Sequence, residues 1–403
     1  MELDCTDYND NIKCPKQLQI KKKKIKSNFL NVIMTGCWGV YCWDGEKTLI
    51  KYNDKGEYND DNNTNTFFEE YKKQYGSKRV VKGLIKYTKK IDTQAVFLAG
   101  DNVYGYKIPK ELLIKLVDSR QAPTKEIYKL DSSISSQDII KQLHKGFVDC
   151  FNKVNVKDFY VAIGNHDIAT CYDLNQQLKF AKNHPEHKYR LPGVYYNVIY
   201  KMKGDFKVDN FKVNFIVIDT NMFEEKPINC SGKKYDNTEM IKTQTEWVLD
   251  TLIKNNCLWN IIIGHIPYKS NLHKKNKNKN GPNFLLNKNL DNLFKLINNQ
   301  KYPKVQAYFC ADEHNQQFLY DKTNNMSLII AGSGGTPLDK NLIQGDYWKI
   351  TKFYSNNFGF VSFNFKKNIL KIVYFNSISL DLTMPSFKQI VYSDGTLGLD
   401  NRY

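Results

Sequence analysis

Val96-Phe97-Leu98-Ala99-Gly100-Asp101-Asn102-Val103-Tyr104 begins as an unbroken apolar run and ends on a carboxylate, an amide and a phenol. An apolar run of this length stopped by glycine reads as a buried strand, and open α/β sheets carry their chemistry just outside the carboxyl ends of such strands. The same grammar recurs along the chain. Tyr160-Val161-Ala162-Ile163 leads into Gly164-Asn165-His166-Asp167, Ile261-Ile262-Ile263 into Gly264-His265-Ile266-Pro267, and Ala307-Tyr308-Phe309-Cys310 into Ala311-Asp312-Glu313-His314. Each motif supplies a metal-ligand type directly after its strand, so the natural reading is one metal centre assembled from four distant loops.

Taken in this order, the motifs resemble the calcineurin-like metallophosphoesterases. The tyrosine three residues after Asp101 resembles the purple acid phosphatase and tartrate-resistant acid phosphatase branch. The likeness extends from about Asn28 to about Phe365: Phe215 to Asn221 resembles that branch's central strand, Gln244 to Trp247 its following helix, and Ala331 to Gly335 its late glycine turn. The resemblance implies an α/β fold, a four-layer α/β/β/α sandwich of two mixed β-sheets flanked by helices. It also implies an acid-phosphatase-like, metal-dependent phosphoesterase. Phosphate-ester hydrolysis needs charge neutralisation, an activated water and a proton for the leaving alkoxide, and two cations roughly 3.5–4 Å apart meet the first two needs.

By this resemblance the first ion takes Cys37, Asp101, Tyr104 and His314, and the second takes Asp101, Asn165, His265 and Asp312. Asp101 is the bridge, since a carboxylate can give one oxygen to each ion. His166 is the candidate general acid, with Asp167 orienting it or raising its pKa. The cofactors are two divalent or trivalent ions drawn from iron, zinc and manganese, and the substrate partner is a phosphate ester.

Two positions depart from the family pattern. Gly36-Cys37-Trp38-Gly39 stands where the family has Gly-Asp-x-Gly, and Ala311-Asp312-Glu313-His314 stands where it has Gly-His-x-His. A thiolate binds zinc or iron well and magnesium poorly, so Cys37 either retains an ion of altered identity or marks a site that has lost its metal. Asp312 supplies a hard oxygen in place of an imidazole, and Glu313 beside it is an alternative donor. Both replacements are competent ligands, and six of the eight expected residues are kept: Asp101, Tyr104, Asn165, His166, His265 and His314. That pattern favours adaptation. The rival reading is a catalytically inactive scaffold or binding protein on the same fold.

The chain has 403 residues, of which 41% are hydrophobic, enough for one large core. Motifs that must converge across most of the length indicate one domain at 28–390, after a polar basic leader at 1–27 and before a tail at 391–403. An insertion at about 106–136 follows the Asp101 motif. Lys+Arg 59 against Asp+Glu 42 gives a net charge of +17, which suits anionic partners; nucleic acid is the weaker case, because no aromatic-interleaved basic stripe is visible. The lysine run Lys21 to Lys26 reads as a solvated arm, and the Asn271 to Asn283 segment as a basic loop at the site's edge.

No stretch reaches the roughly 20 apolar residues of a membrane span, and the first residues lack a signal-like apolar core. Nine cysteines without regular spacing point to reduced thiols and an intracellular, cytoplasmic setting. A redox reading pairs Cys37 with Cys310, which end two core strands, in a disulfide that displaces the metal.

Overall fold

The computed structural model of the chain describes residues 19–39, 77–103, 136–168, 171–204, 210–224, 228–230, 233–235, 237–274, 287–299, 302–336, 338–339, 342–344, 346–377 and 385–398. Tyr104, most of the leader, nearly all of the insertion and the basic loop from residue 275 lie outside these.

Two mixed sheets form the centre. One has seven strands in the order β19 (Phe387–Tyr392), β18 (Ile369–Asn376), β17 (Gly359–Phe365), β2 (Leu30–Thr35), β3 (Ala95–Ala99), β4 (Asp158–Ala162) and β5 (Tyr189–Arg190). The other has eight: β1 (Gln19–Lys26), β6 (Tyr196–Lys203), β7 (Phe211–Val217), β10 (Trp259–Ile263), β12 (Ala307–Cys310), β14 (Met326–Ala331), β13 (Gln316–Asp321) and β16 (Thr351–Ser355). Two small ribbons, β8 (Ile228–Cys230) with β9 (Lys233–Tyr235) and β11 (Leu272–Lys274) with β15 (Leu342–Gln344), complete the strands.

Strands β2 to β5 run parallel, as do β7, β10, β12 and β14, while the remaining pairs of both sheets are antiparallel except β1 with β6. β2, β3, β4, β10, β12 and β14 are buried along their whole length. That is the burial expected where both faces of a parallel sheet are covered.

The sheets pack face to face through aromatic pairs: Phe97 with Phe215 at 4.5 Å and Phe309 with Phe363 at 4.1 Å between ring centres. Helices cover the outer faces. On the seven-stranded sheet lie α1 (Ser77–Lys90), whose Tyr87 meets Phe360 and Phe375, and the segment from α2 (Ser136–Leu143), whose Phe147 and Phe151 meet Phe159. α3 (Cys171–Asn183) packs beside α2, with Phe180 against Tyr189. On the eight-stranded sheet lie α4 (Asn237–Asn255), with Trp247 on Tyr195, and α5 (Lys288–Asn298), with Phe294 on Tyr308. The four layers expected from the sequence are present.

One local expectation comes out differently. The lysine run is a strand: Lys23 to Lys26 pair in parallel with Tyr200 to Lys203, and Lys23 bonds Asp158 across to the other sheet. Lysine is a residue that edge strands tolerate because it discourages further pairing. The helical segment from Ser136 to Phe151 is interrupted by a π-helical turn at His144–Val148. Late in the chain, β17 and β18 join the sheet of β2, with β17 antiparallel to it. At the far end, Gly398 N–H still bonds the Ile390 carbonyl at 2.9 Å, which keeps residues past 390 on the same body. Among the described residues no helix is long and apolar enough to cross a membrane.

Candidate metal centre

Register places the ligand loops together. Ala99 faces Ala162 across β3 and β4, so the loops starting at Gly100 and Gly164 leave the sheet side by side. Ile263 faces Phe309 across β10 and β12, and Ala311 N–H then bonds the His265 carbonyl at 2.8 Å, so these two loops also leave in step. The sheets are sewn to each other at this same end: Gly36 N–H reaches the Ala331 carbonyl at 2.8 Å and Gly334 N–H returns to the Gly36 carbonyl at 2.9 Å.

Close approach and unusual backbone shape the site. Gly100 (φ 88°) lies where an added Cβ would stand 2.4 Å from His265 Nδ1, and one on Gly164 would stand 2.3 Å from the Asp101 carboxylate. Cys37 (φ 53°), Asp101 (φ 54°) and Asp312 (φ 59°) all adopt the left-handed conformation. Such strain persists only where surrounding structure holds it, and it gathers at functional sites. Here backbone bonds hold it: Cys37 N–H to the Gly100 carbonyl at 3.0 Å, Gly39 N–H to the Asp101 carbonyl at 3.0 Å, and Thr336 N–H to the Cys37 carbonyl at 3.0 Å.

Two donor sets result. Cys37 Sγ, an Asp101 carboxylate oxygen and a His314 ring nitrogen lie within 4.8 Å of one another. Around His265 Nε2 stand Asn165 Oδ1 at 3.1 Å, Asp101 Oδ1 at 3.2 Å and Asp312 Oδ1 at 3.6 Å. His265 Nδ1 lies 2.7 Å from the Ala99 carbonyl oxygen, which can only accept, so Nδ1 carries the proton and Nε2 is turned to the oxygens. Thr220 Oγ1 accepts the backbone N–H groups of His265 and Ile266 at 3.2 and 3.0 Å and fixes the loop. Asp101 is common to both sets.

Burial works against charge on His265, but Asp101 and Asp312 prevail and hold its pKa well above the usual imidazole range. Burial would also raise the Asp101 pKa, yet His265 and His166 reverse the direction and keep it ionised far below the usual carboxylate range. A fully buried carboxylate kept charged beside a thiol, an amide oxygen and two imidazoles is a donor set of the N, O and S types that zinc and iron take. The residues present are therefore of types that such ions take, and Cys37, Asp101 and His314 stand close enough together to share one.

His166 is partly exposed; its N–H donates to Asp101 Oδ1 at 3.2 Å and its Nε2 lies 4.0 Å from Asp101 Oδ2. Asp167 takes a different place from the one its sequence neighbour suggests. Its buried carboxylate accepts from the backbone N–H groups of Asn102, Val103 and Gly164 and from the side chains of Asn102 and Gln177, at 2.8 to 3.0 Å. Among the described residues none of its bonds goes to His166. It clamps the Asp101 loop to the Asn165 loop. Burial and the nearby Asp101 push its carboxyl up to about 7 against the pull of those donors.

One positioning residue is invisible in the motifs. Asp339 Oδ2 accepts the His314 backbone N–H at 2.7 Å, and its Oδ1 lies 3.8 Å from His314 Nδ1. Nothing in the sequence near Asp339 signals this, because the partner lies across a β-hairpin and the late glycine turn.

Cys37, Cys257 and Cys310 are buried and not in disulfides, so Cys37 and Cys310 are not joined. Cys150 is disulfide-bonded, so the expectation of reduced thiols does not extend to it, and the intracellular reading loses that support.

Residues 31–316 match the family model described as calcineurin-like phosphoesterase, well over half of the chain. The chain belongs to the calcineurin-like phosphoesterase family. Tartrate-resistant acid phosphatase type 5 of Sus scrofa is 23% identical over 197 residues, covering 48% of this chain and 52% of that protein. The Mus musculus protein is 25% identical over 199 residues, covering 48% and 54%. The chain thus spans about half the length of the curated relatives it matches.

Among solved structures, GAP50, described as the anchor in the inner membrane complex of Plasmodium, aligns with a TM-score of 0.57 at 15% identity, over 89% of this chain and 88% of that one. PhoD aligns at 0.51 and 11% identity, over 94% and 73%. These likenesses are of fold.

Proposed function

We propose that this member of the family is an acid-phosphatase-like phosphoesterase that hydrolyses a phosphate ester at a dinuclear centre. The observation that carries the reading is the position of Asp101 between two donor sets, with His166 beside it. Cys37, Asp101, Tyr104 and His314 would hold one ion, and Asp101, Asn165, His265 and Asp312 the other. When bound, the ions supply Lewis-acid neutralisation of the phosphate and an acidified water.

The chain's own residues do the rest. Asp167 holds the Asp101 and Asn165 loops at fixed separation, and the bond from His265 to Ala99 aims Nε2 into the centre. His166, reachable from solvent and anchored through its backbone to Asp101, presents its ring to the leaving-group oxygen and delivers the proton.

A second reading is an inactive scaffold. Cys37 in place of a carboxylate favours it, as does the fold likeness to a protein described as an anchor. A fold serves many functions, so the site must arbitrate. The deciding experiment pairs metal content with hydrolysis of an aryl phosphate for the intact chain, Asp101→Asn and His166→Ala. Two ions with turnover, both lost in Asp101→Asn, and ions retained with turnover reduced by about 10²–10⁴ in His166→Ala, support the enzyme. Ions without turnover at any pH support the scaffold.

A further inference from the structure

We propose that His184, Glu186 and His187 form a second, separate cation site, suited to zinc. The chain has seven histidines. His166, His265 and His314 belong to the centre described above, and His144, His184 and His187 converge elsewhere. Their ring centres stand 5.9, 5.6 and 5.5 Å apart.

Within this group one ligand atom each of His184, Glu186 and His187 lies within 4.8 Å of the others. Glu186 Oε1 stands 3.2 Å from His184 Nδ1 and 3.5 Å from His187 Nε2. Ligand atoms on a tetrahedral zinc with bonds of about 2.0–2.1 Å are separated by about 3.3 Å, so both Glu186 separations already match an edge of such a polyhedron. Two imidazoles and a carboxylate, with a water completing the fourth position, is a zinc donor set.

The local backbone is built to hold them. Pro185 begins the 3₁₀ turn Pro185–His187, Lys188 closes it in the left-handed conformation (φ 62°), and Lys188 N–H bonds the Pro185 carbonyl at 3.1 Å. Arg190 Nη1 donates to that same carbonyl at 2.9 Å. Phe180 underlies the rings, 5.2 Å from His184, 5.6 Å from His187 and 5.4 Å from His144. This apolar floor limits rotation of the imidazoles and leaves Glu186 on the solvent side. His144, the first residue of the π-helical turn, packs edge-on to both as a flanking ring.

The site is remote from the other centre by topology. The catalytic loops leave the carboxyl ends of β3 and β4, whereas His184 to His187 lead into the amino end of β5, which runs parallel to β4. Bound zinc would tie the α3 end to the start of this edge strand.

The test uses the full chain carrying Cys37→Ala and Asp101→Asn, which removes the shared bridge and the thiolate of the other centre. Equilibrium dialysis against zinc alone is expected to show a bound ion whose affinity falls ~10-fold or more in His184→Ala and in His187→Ala and is weakened in Glu186→Gln. His144→Ala is expected to retain the ion. Cobalt in place of zinc is expected to give d–d absorption without thiolate charge transfer, separating this site from any residual one at Cys37. Far-UV circular dichroism confirms that each variant is folded, and Glu186→Gln serves as the conservative check. Zinc affinity unchanged in His184→Ala and His187→Ala, or no zinc bound in the parent, overturns the proposal.

Discussion

The Nδ1 of His265 bonds the carbonyl of Ala99 at 2.7 Å, so the strand that delivers Asp101 also sets which nitrogen of His265 faces it. Gly100 follows Ala99 with φ 88°, and a Cβ there would stand 2.4 Å from that same Nδ1. Gly100→Ala therefore adds backbone strain and pushes the imidazole off its acceptor. We expect a loss of about 3 kcal/mol or more in urea unfolding and at least a tenfold weaker second ion in metal-content measurements. Unchanged stability with full metal occupancy would refute this account of the loop.

Asp167 gathers five donors, four from the loops of Asp101 and Asn165 and one from Gln177 of α3. In Asp167→Asn an amide nitrogen must face at least one of those donors. Leaving a buried donor unmatched costs about 1–3 kcal/mol, so the variant should be less stable by that amount or more in denaturant titration. Metal affinity should fall with it, because the separation of Asp101 and Asn165 depends on the clamp. If instead Asp167→Asn changed only the pH profile of turnover and left stability intact, Asp167 would act through His166.

These two residues show what the sequence could and could not disclose. Each ligand motif is local, an apolar run followed at once by donors, and parallel pairing brings such ends together whatever the loops between them do. The four layers and the donor clusters of Cys37, Asp101, Asn165, His265, Asp312 and His314 were legible for that reason. The side-chain direction of Asp167 was not, because the turn from Gly164 folds its carboxylate under the loop and away from His166. Asp339 behind His314 and the meeting of His144 with His184 and His187 depend on long-range packing that has no local pattern. The lysine run misled because charge signals solvent, while an edge strand can expose charge and still pair its backbone.

On the proposed reading Cys37 holds the place of a carboxylate, and it already adopts φ 53°, a conformation that aspartate tolerates better than most residues. Cys37→Asp should therefore fold, and it replaces a soft donor with a hard one. Metal content after reconstitution with equimolar zinc and manganese should shift toward manganese relative to the intact chain, and inactivation by mild oxidants should slow. Equal preference in both proteins would place Cys37 outside the coordination of the first ion.

Away from the centre, Asp321 receives Tyr268 Oη at 2.5 Å, Lys269 Nζ at 2.7 Å and Asn324 Nδ2 at 2.8 Å. Burial would raise its pKa, but Lys269 and Tyr268 outweigh it and lower the pKa in the folded chain. The sign follows from linkage. A carboxylate depressed by folding adds stability above its unfolded pKa, and that stability is lost as pH falls through the lower, folded value. Unfolding free energy of the intact chain should thus decline as pH drops below about 4, the ordinary carboxylate range. Asp321→Asn removes this group's share of the decline and lowers stability at neutral pH by about 2–4 kcal/mol, because among the described residues the largely buried ammonium of Lys269 then keeps only the more distant Asp291, at 3.6 Å, as a carboxylate partner. Urea unfolding at neutral pH and below pH 4 in both proteins tests this: curves that stay parallel across the range would mean that Asp321 keeps its unfolded pKa and that the cluster holds the fold by shape alone.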